Sequence, residues 1–197
     1  MRPFPDALES ERLVIRPVDP ASAMLVNAAI RESFRELHEW MPWAERLPSL
    51  AETEAHLVQQ QERFRSDADC ALGIWLRSTD AFVGGTGLHP RLPDPASREI
   101  GYWIHSAHAG RGLATEAVRA LAAAALGPLG LARLQIKASE RNVASQRVAL
   151  RSGFLQEAIL DDGRVDPGGH PSRTVVFVRT REHQAVIAGA TGRSTAG

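Results

Sequence analysis

The 197-residue sequence has a single cysteine and no excess of charge of either sign. One cysteine, Cys70, excludes an intramolecular disulfide framework and suits a reducing compartment. It opens an apolar, strand-like run, so we interpret it as a small core residue rather than a nucleophile. Basic and acidic residues number 23 each. This balance argues against a nucleic-acid-binding protein, which usually carries a basic excess.

Long apolar runs and internal repeats are also missing. Residues 1–5 do not contain the apolar core of a signal peptide. The longest uncharged apolar run lies between Arg119 and Arg133, is interrupted by Gly127 and Pro128, and is too short to span a bilayer. We therefore expect a cytoplasmic protein without a membrane partner.

The seven histidines lack the spacing of metal ligands. His105 and His108 are three residues apart, but no third ligand lies near them in the sequence. We therefore predict that the protein binds no metal.

The alternation of apolar runs with Gly- and Pro-containing turns predicts a mixed α/β fold with one core. The predicted strands are 13–17, 71–77, 82–88, 100–104, 134–138, 154–159 and 174–178, and the predicted helices are 20–34, 50–65, 113–126 and 143–151. Ser49 and Glu52 have the spacing of a capping box at the start of the second helix. We expect one domain over residues 1–187 and a flexible C-terminal tail over 188–197.

A glycine-rich turn between a predicted strand and a predicted helix is the first candidate site. It runs Ala109-Gly110-Arg111-Gly112-Leu113-Ala114. Small residues let the backbone approach a ligand, the first-turn N–H groups favour an anion, and Arg111 adds a positive charge. The turn lacks the third glycine of the dinucleotide-binding fingerprint. By itself it is more typical of a tight turn that packs a helix on a sheet.

A second motif follows one predicted strand later. It consists of Asn142-Val143-Ala144-Ser145, and the same helix ends at Gly153-Phe154. Asn142 is expected to cap the helix, and Ser145 lies one turn further on. Alone, this motif describes an ordinary capped helix.

Together the two motifs resemble those of the GNAT superfamily of acyl-CoA-dependent N-acyltransferases, and the resemblance covers residues 13–178. The Trp-rich segment 37–44 and the segment 110–117 are similar to the RimJ/RimL-like branch, the ribosomal-protein alanine N-acetyltransferases. The resemblance implies a twisted mixed sheet of about seven strands with about four flanking helices. It also implies that the sheet splays apart between its fourth and fifth strands, here 99–104 and 134–138.

The resemblance implies that acetyl-CoA is the acyl donor, with its pantetheine arm in the splayed region and its pyrophosphate at the glycine turn. Asn142 would contact pantetheine, and Ser145 would lie near the sulfur. The cofactor-binding residues implied are Trp103, Ile104, His105, Ala109, Gly110, Arg111, Gly112, Leu113, Ala114, Thr115, Asn142 and Ser145.

Two positions depart from the family pattern. Ala109 stands where Arg or Gln is usual, so that phosphate contact would be weaker or come from His108 or Arg111. Ala149 stands where many relatives have a tyrosine that protonates the departing thiolate. The RimJ/RimL-like branch generally lacks that tyrosine too, which leaves the general acid unassigned.

Direct attack of an amine on a thioester needs a neutral amine, a stabilised oxyanion and a departing thiolate. Several GNAT enzymes have a catalytic glutamate at the position of Glu99, which we predict to be the base. The alternative is an ion pair with Arg98 or another cation. By analogy, a backbone N–H near Trp103 or Ile104 stabilises the oxyanion. Ser145 either donates to the sulfur or packs under pantetheine.

The acceptor side is less specific. Trp40, Met41 and Trp43 are predicted to wall the acceptor pocket, or alternatively to pack in the core. The acidic loop with Asp161, Asp162 and Asp166 is either an attractor for a cationic amine or an ordinary turn.

For the acceptor we expect the α-amine of a protein or peptide N-terminus. The alternatives are a small amine such as an antibiotic, polyamine or amino acid, the use of succinyl-CoA, and a non-catalytic acyl-CoA sensor. The branch also predicts a homodimer.

Overall fold

The computed structural model describes residues 3–91 and 94–183. Eight strands lie in these residues: β1 (Leu8–Glu9), β2 (Leu13–Arg16), β3 (Cys70–Leu76), β4 (Phe82–Arg91), β5 (Asp94–Ile104), β6 (Arg133–Ser139), β7 (Leu155–Leu160) and β8 (Thr174–Thr180). The same residues contain the α-helices α1 (Ala23–Glu32), α2 (Phe34–Trp40), α3 (Leu50–Arg65), α4 (Leu113–Leu126) and α5 (Val143–Arg151). The tail predicted at 188–197 lies outside the described residues.

The strands form one sheet in the order β1-β2-β3-β4-β5-β6-β8-β7. All neighbouring pairs are antiparallel except β5 and β6. That parallel pairing is confined to residues 97–99 of β5 against 133–135 of β6. Beyond it, β5 stays paired with β4 as far as Ile104, and β6 stays paired with β8 as far as Ser139. The sheet therefore opens into a V, which confirms the predicted mixed sheet and its splay.

Three elements differ from the sequence-based prediction. The predicted helix 20–34 is broken at Ser33, so α2 is a separate helix. Ser33 is buried, and its Oγ accepts the N–H of Ser106 at 2.9 Å, which ties the break to the loop before the glycine turn. The prediction did not include β1, a strand of two residues that pairs with β2. It also began the fourth strand late, since β5 already starts at Asp94, which pairs with Arg91 of β4.

The two faces of the sheet carry different clusters. Helices α4 and α5 cover one face, where Leu121, Leu134 and Phe177 are buried. Helices α1 and α3 cover the other face around Trp75. No helix in residues 3–91 and 94–183 is long and apolar enough to cross a membrane.

Cys70 lies in the larger cluster with 4% of its surface exposed. Burial, with a contribution from Asp69, raises the pKa of its thiol to about 12. The prediction that Cys70 is a core residue is confirmed.

Helix α3 begins at the predicted capping box. The N–H of Glu52 donates to Ser49 Oγ at 3.2 Å, and the N–H of Ser49 donates to the Glu52 carboxylate at 2.8 Å. Asn27 of α1 donates to Thr53 Oγ1 of α3 at 2.8 Å. These bonds fix two helices that cover one large pocket on the sheet.

Candidate active site

The glycine turn has the geometry of an anion cradle. Gly110 and Gly112 have φ of +73° and +77°, in the left-handed region that favours glycine. Gly112 caps α4 without a side-chain hydrogen bond to the first turn. A Cβ at Gly110 would meet nothing within 4 Å, and one at Gly112 would meet only Arg12, at 3.7 Å. The turn therefore needs glycine for its backbone conformation and leaves room for a ligand over the start of the helix.

The acidic residue in the first turn of α4 faces a cation. Arg12 Nε lies 2.6 Å from Glu116 Oε2, and Ser10 donates to the same carboxylate at 2.7 Å. Burial alone would raise the pKa of Glu116, but hydrogen bonds from Arg12 and Ser10 hold it below its usual range. Arg12 also donates to the carbonyl of Arg111 at 3.1 Å. Its contribution could not be read from the sequence, because Arg12 lies about 100 positions before the turn.

The two histidines before the turn, His105 and His108, lie in different surroundings. His105 Nε2 lies 2.9 Å from Glu32 Oε2, and its Nδ1 accepts the N–H of Ala107 at 3.1 Å, so the ring is directed toward α1. Burial, with Arg111 and His105 nearby, lowers the pKa of His108. A lowered pKa makes His108 a weaker candidate than Arg111 for the phosphate contact that Ala109 lacks.

Two hydroxyls meet inside the V. Tyr102 of β5 donates to the carbonyl of Ser145 at 3.0 Å, and its hydroxyl is 2.9 Å from Ser145 Oγ. Asn142 Oδ1 accepts the N–H of Ser145 at 2.9 Å, so Asn142 is the helix cap that its position predicted. Burial raises the pKa of Tyr102 to about 12, against the lowering effect of Ser145, so the phenol stays protonated. Ala149 is fully buried in the core, and Tyr102 brings a phenol to α5 from the strand instead.

Glu99 lies at the last residue of β5 that pairs with β6. Its carboxylate accepts a hydrogen bond from Gln135 at 3.1 Å and lies 3.6 Å from Arg91 Nη1. The side chain is 29% exposed, and Glu99 is not among the described residues that line the large pocket. Its role as a base remains a prediction.

A pocket of about 550 Å³ lies between α1, α3 and the strands β3 to β5. Met41 and Trp43 line it, whereas Trp40 is not among its lining residues. Trp103 projects from β5 with its ring centroid 6.2 Å from that of Trp43. Gly85 makes room for the indole, since a Cβ there would stand 2.6 Å from Trp103 Nε1. The sequence analysis predicted that a backbone N–H near Trp103 stabilises the oxyanion. The indole ring of Trp103 also forms part of the pocket wall.

The same pocket contains a histidine and a carboxylate that the sequence analysis did not identify. His89 Nδ1 lies 2.8 Å from Asp69 Oδ1. Burial would raise the pKa of Asp69, but its bonds to His89 and to the N–H of Cys70, with Arg63 nearby, lower it. The available signal was a histidine following the apolar run of β4, with an aspartate directly before β3.

Two carboxylates of the acidic loop, those of Asp162 and Asp166, accept hydrogen bonds from other residues of the protein. Asp166 is 2% exposed and accepts hydrogen bonds from Ser139 and Arg164, each at 2.9 Å. Asp162 accepts one from Thr174 at 3.3 Å. These partners support the turn interpretation. Within residues 3–91 and 94–183, no group of three His, Cys, Asp or Glu side chains could hold a metal ion.

Comparison with known proteins agrees with this geometry. Residues 12–155 match the family model described as acetyltransferase (GNAT) domain. YdaF of Bacillus subtilis (strain 168), which bears a provisional ribosomal N-acetyltransferase name, is 32% identical over 174 residues, covering 88% of this chain and 94% of YdaF.

Two solved structures share the fold. RimL, a ribosomal L7/L12 α-N-protein acetyltransferase in complex with coenzyme A, has a TM-score of 0.80 at 19% identity, covering 90% of this chain and 99% of RimL. MccE, a microcin C7 self-immunity acetyltransferase in complex with acetyl-CoA and AMP, has a TM-score of 0.80 at 18% identity, covering 90% of this chain and 98% of MccE.

Proposed function

Because the chain belongs to the GNAT acetyltransferase family and is an N-acetyltransferase of its RimJ/RimL-like branch, we propose that it acetylates the α-amine of a protein or peptide N-terminus. Acetyl-CoA is the donor. One observation carries the proposal: the V in the sheet and the large pocket meet at the same segment of β5, 101–103. A thioester in the V would therefore face an amine in the pocket.

The donor side holds acetyl-CoA at three places. The pyrophosphate binds the N–H groups at the start of α4, where Gly112 leaves the helix uncapped and Arg111 supplies a positive charge. The pantetheine arm lies in the V, where every second residue of β5 beyond Glu99 directs its N–H and C=O groups away from β4. Asn142 contacts that arm, and Ser145 lies near the sulfur.

The oxyanion forms beside β5, where a backbone N–H of Trp103 or Ile104 stabilises it. The thiolate departs toward the hydroxyls of Tyr102 and Ser145. Burial raises the pKa of the Tyr102 phenol to about 12, so the phenol holds its proton firmly. The two hydroxyls therefore act as hydrogen-bond donors to the thiolate, and its proton comes from the attacking amine or from water.

The pocket favours a monocation over a polycation. Its lining contains one carboxylate, that of Asp69, which is already bonded to His89. A polyamine would bring several charges to a pocket that offers no further anion among its described lining residues. The pKa of an α-amine is about 8, well below the value of about 10.4 for a lysine side chain. A larger fraction of the α-amine is therefore neutral at about pH 7.

A small amine with a planar ring is the second candidate acceptor. Trp43 and Trp103 bring two aromatic rings to the pocket, and Trp43 is 52% exposed. MccE, which shares the fold, is described with acetyl-CoA and AMP.

Thiol release from acetyl-CoA measured over a panel of amines tests the function. The panel contains short peptides with free or blocked N-termini, a polyamine, amino acids and a nucleotide-linked amine. We expect turnover with the free peptides and none with the blocked ones. Turnover confined to small amines would favour the second candidate, and binding of acetyl-CoA without any turnover would indicate a sensor.

We also propose a homodimer that forms through strand β7 at the edge of the sheet. Among the described residues of this strand, Leu155, Ile159 and Leu160 are 54%, 44% and 39% exposed. A strand edge with exposed apolar side chains is a surface that a second copy would cover.

A further inference from the structure

His89 and Asp69 form a dyad inside the large pocket. Asp69 precedes β3 and His89 lies on β4, and the Nδ1 to Oδ1 distance is 2.8 Å. An ionised carboxylate only accepts hydrogen bonds, so Nδ1 carries a proton, and when the ring is uncharged Nε2 has a free lone pair. In the part of the chain that the structure describes, no group is hydrogen-bonded to Nε2.

The ring lies over backbone that has no side chains. A Cβ at Gly87 would stand 2.8 Å from His89 Nε2, and one at Gly101 would stand 3.3 Å from the same atom. Two glycines on adjacent strands therefore make room for the imidazole. Because Gly101 borders the V, Nε2 is directed along the pocket floor toward the place where the amine would meet the thioester.

Glu99 is placed differently. It is the cross-strand partner of His89, so the two side chains leave the same face of the sheet. Glu99 nevertheless bonds Gln135 of β6 and lies near Arg91. Its carboxylate is already paired outside the pocket lining, whereas the imidazole of His89 is inside it.

We propose that His89, held by Asp69, is the general base that takes a proton from the acceptor ammonium. This rests on the proposed function, in which an amine in the pocket attacks acetyl-CoA. The ammonium gives one proton to Nε2 and becomes a neutral amine. Its nitrogen forms a bond to the acetyl carbon, and the C–S bond breaks. The second proton leaves the nitrogen and ends on the thiolate sulfur, directly or through water. Nε2 returns the first proton to solvent, so each turnover releases one proton.

Several other titratable or charged groups face His89. Asp69 lies just before β3 and Arg63 lies on α3, with Arg63 Nη2 3.7 Å from Asp69 Oδ2. His56 of α3 lines the pocket, and Glu99 lies across on β5. A pH profile therefore has to be compared between variants rather than assigned from the wild type alone.

The test compares kcat/KM for a peptide acceptor in wild type, His89→Gln, Asp69→Asn and Glu99→Gln from about pH 6 to about pH 9. We expect His89→Gln to lose roughly 100- to 10,000-fold at the low end. The loss should shrink as the pH passes the pKa of the amine, near about 8, because the amine then loses its proton unaided. Asp69→Asn should show a smaller loss of the same shape. Affinity for acetyl-CoA should be unchanged in both variants.

His170→Gln is the matched control, since His170 is exposed on the loop after Asp166, away from the pocket. Added imidazole should restore part of the turnover of His89→Ala, a rescue that a purely structural histidine would not allow. A loss in His89→Gln that is constant with pH, or the pH-dependent loss in Glu99→Gln instead, would overturn the proposal. A wild type that binds acetyl-CoA and acetylates no amine would refute the proposed function instead.

Discussion

The hydroxyl pair of Tyr102 and Ser145 joins two elements that the open sheet keeps apart. The residues are 43 positions apart in the sequence, and they are in contact because the fold places α5 beside β5. From the sequence alone, Ser145 could be related to a motif, whereas Tyr102, the single tyrosine of the sequence, belongs to neither of the two motifs. The buried phenol keeps its proton over the physiological range. It is therefore a permanent donor.

Tyr102→Phe should keep the ring and remove that donor. A hydrogen bond to a charged group contributes about 1.5–3 kcal/mol, so kcat should fall roughly 10- to 100-fold if Tyr102 supports the thiolate. Ser145→Ala should cost less. The double variant should lose less than the sum, because each hydroxyl bonds the other. Steady-state thiol release measures this, with calorimetry to check that CoA still binds. An unchanged kcat in Tyr102→Phe would show that the phenol has only a structural role.

At the scale of elements, the start of α4 combines two glycines in the left-handed region with an uncapped first turn. A side chain at either glycine carries a conformational cost even where space is open. A test of phosphate binding must therefore distinguish backbone strain in the variant from steric obstruction of the ligand.

Gly112→Val should weaken CoA binding roughly tenfold or more, since the added branch lies where the pyrophosphate would meet backbone N–H groups. Gly130→Val is the matched control, because Gly130 has φ of +78° and open space around it, at the far end of α4. Both variants should destabilise the fold by about 1–2 kcal/mol. Calorimetry should find CoA affinity reduced only in the first. Equal affinities would exclude the turn as the phosphate site.

The capping box of α3 gives a pH-dependent contribution to stability. Hydrogen bonds from Arg46, and then from Ser49, lower the pKa of Glu52 to about 2 from a usual value of 4.5. A carboxyl with a lowered folded-state pKa stabilises the fold above its unfolded-state value and loses that effect as the pH falls toward the folded value. Its contribution is therefore complete above about pH 4.5 and lost near pH 2.

Glu52→Gln should lower the free energy of unfolding at neutral pH, and its difference from wild type should vanish as the pH falls from about 4.5 to about 2. Urea denaturation at several pH values measures the difference. Glu54→Gln, on the exposed side of the same helix, should differ little from wild type throughout. A difference in the free energy of unfolding between Glu52→Gln and wild type that is constant with pH would contradict a stabilising role of the ionised Glu52 carboxylate.

The elements also show which parts of the structure a sequence can predict. Helices α3, α4 and α5 carry their own end signals, such as Ser49, Gly127 and Asn142, and these local signals were correct. The break at Ser33 depends on Ser106, a partner distant in sequence, and the early start of β5 depends on pairing with the preceding strand β4. The anion cradle at the glycine turn could be predicted because its residues are contiguous. The pair of His89 and Asp69 could not, because its two side chains come from β4 and from the residue before β3. Local motifs were therefore predictable, and contacts across the sheet were not.

At the scale of the whole molecule, the sheet ends in the exposed strand β7. Ile159→Lys should shift a dimer toward monomer if this edge is the interface, because a charge would be buried without a partner. Val58→Lys is the control, since Val58 is similarly exposed on α3. Light scattering at micromolar concentration measures the mass. A monomeric wild type would refute the dimer.

The V in the sheet also gives the molecule an internal strand edge. Backbone groups of residues 100–104 that face β6 have no strand to pair with, so they should exchange their amide hydrogens faster than those facing β4. A pantetheine arm in the V would act as a missing strand and slow that exchange. Unpaired edges also recruit other chains. The empty protein should therefore aggregate sooner on warming than the CoA complex, and the cellular CoA supply would then protect the protein as well as serve as its substrate.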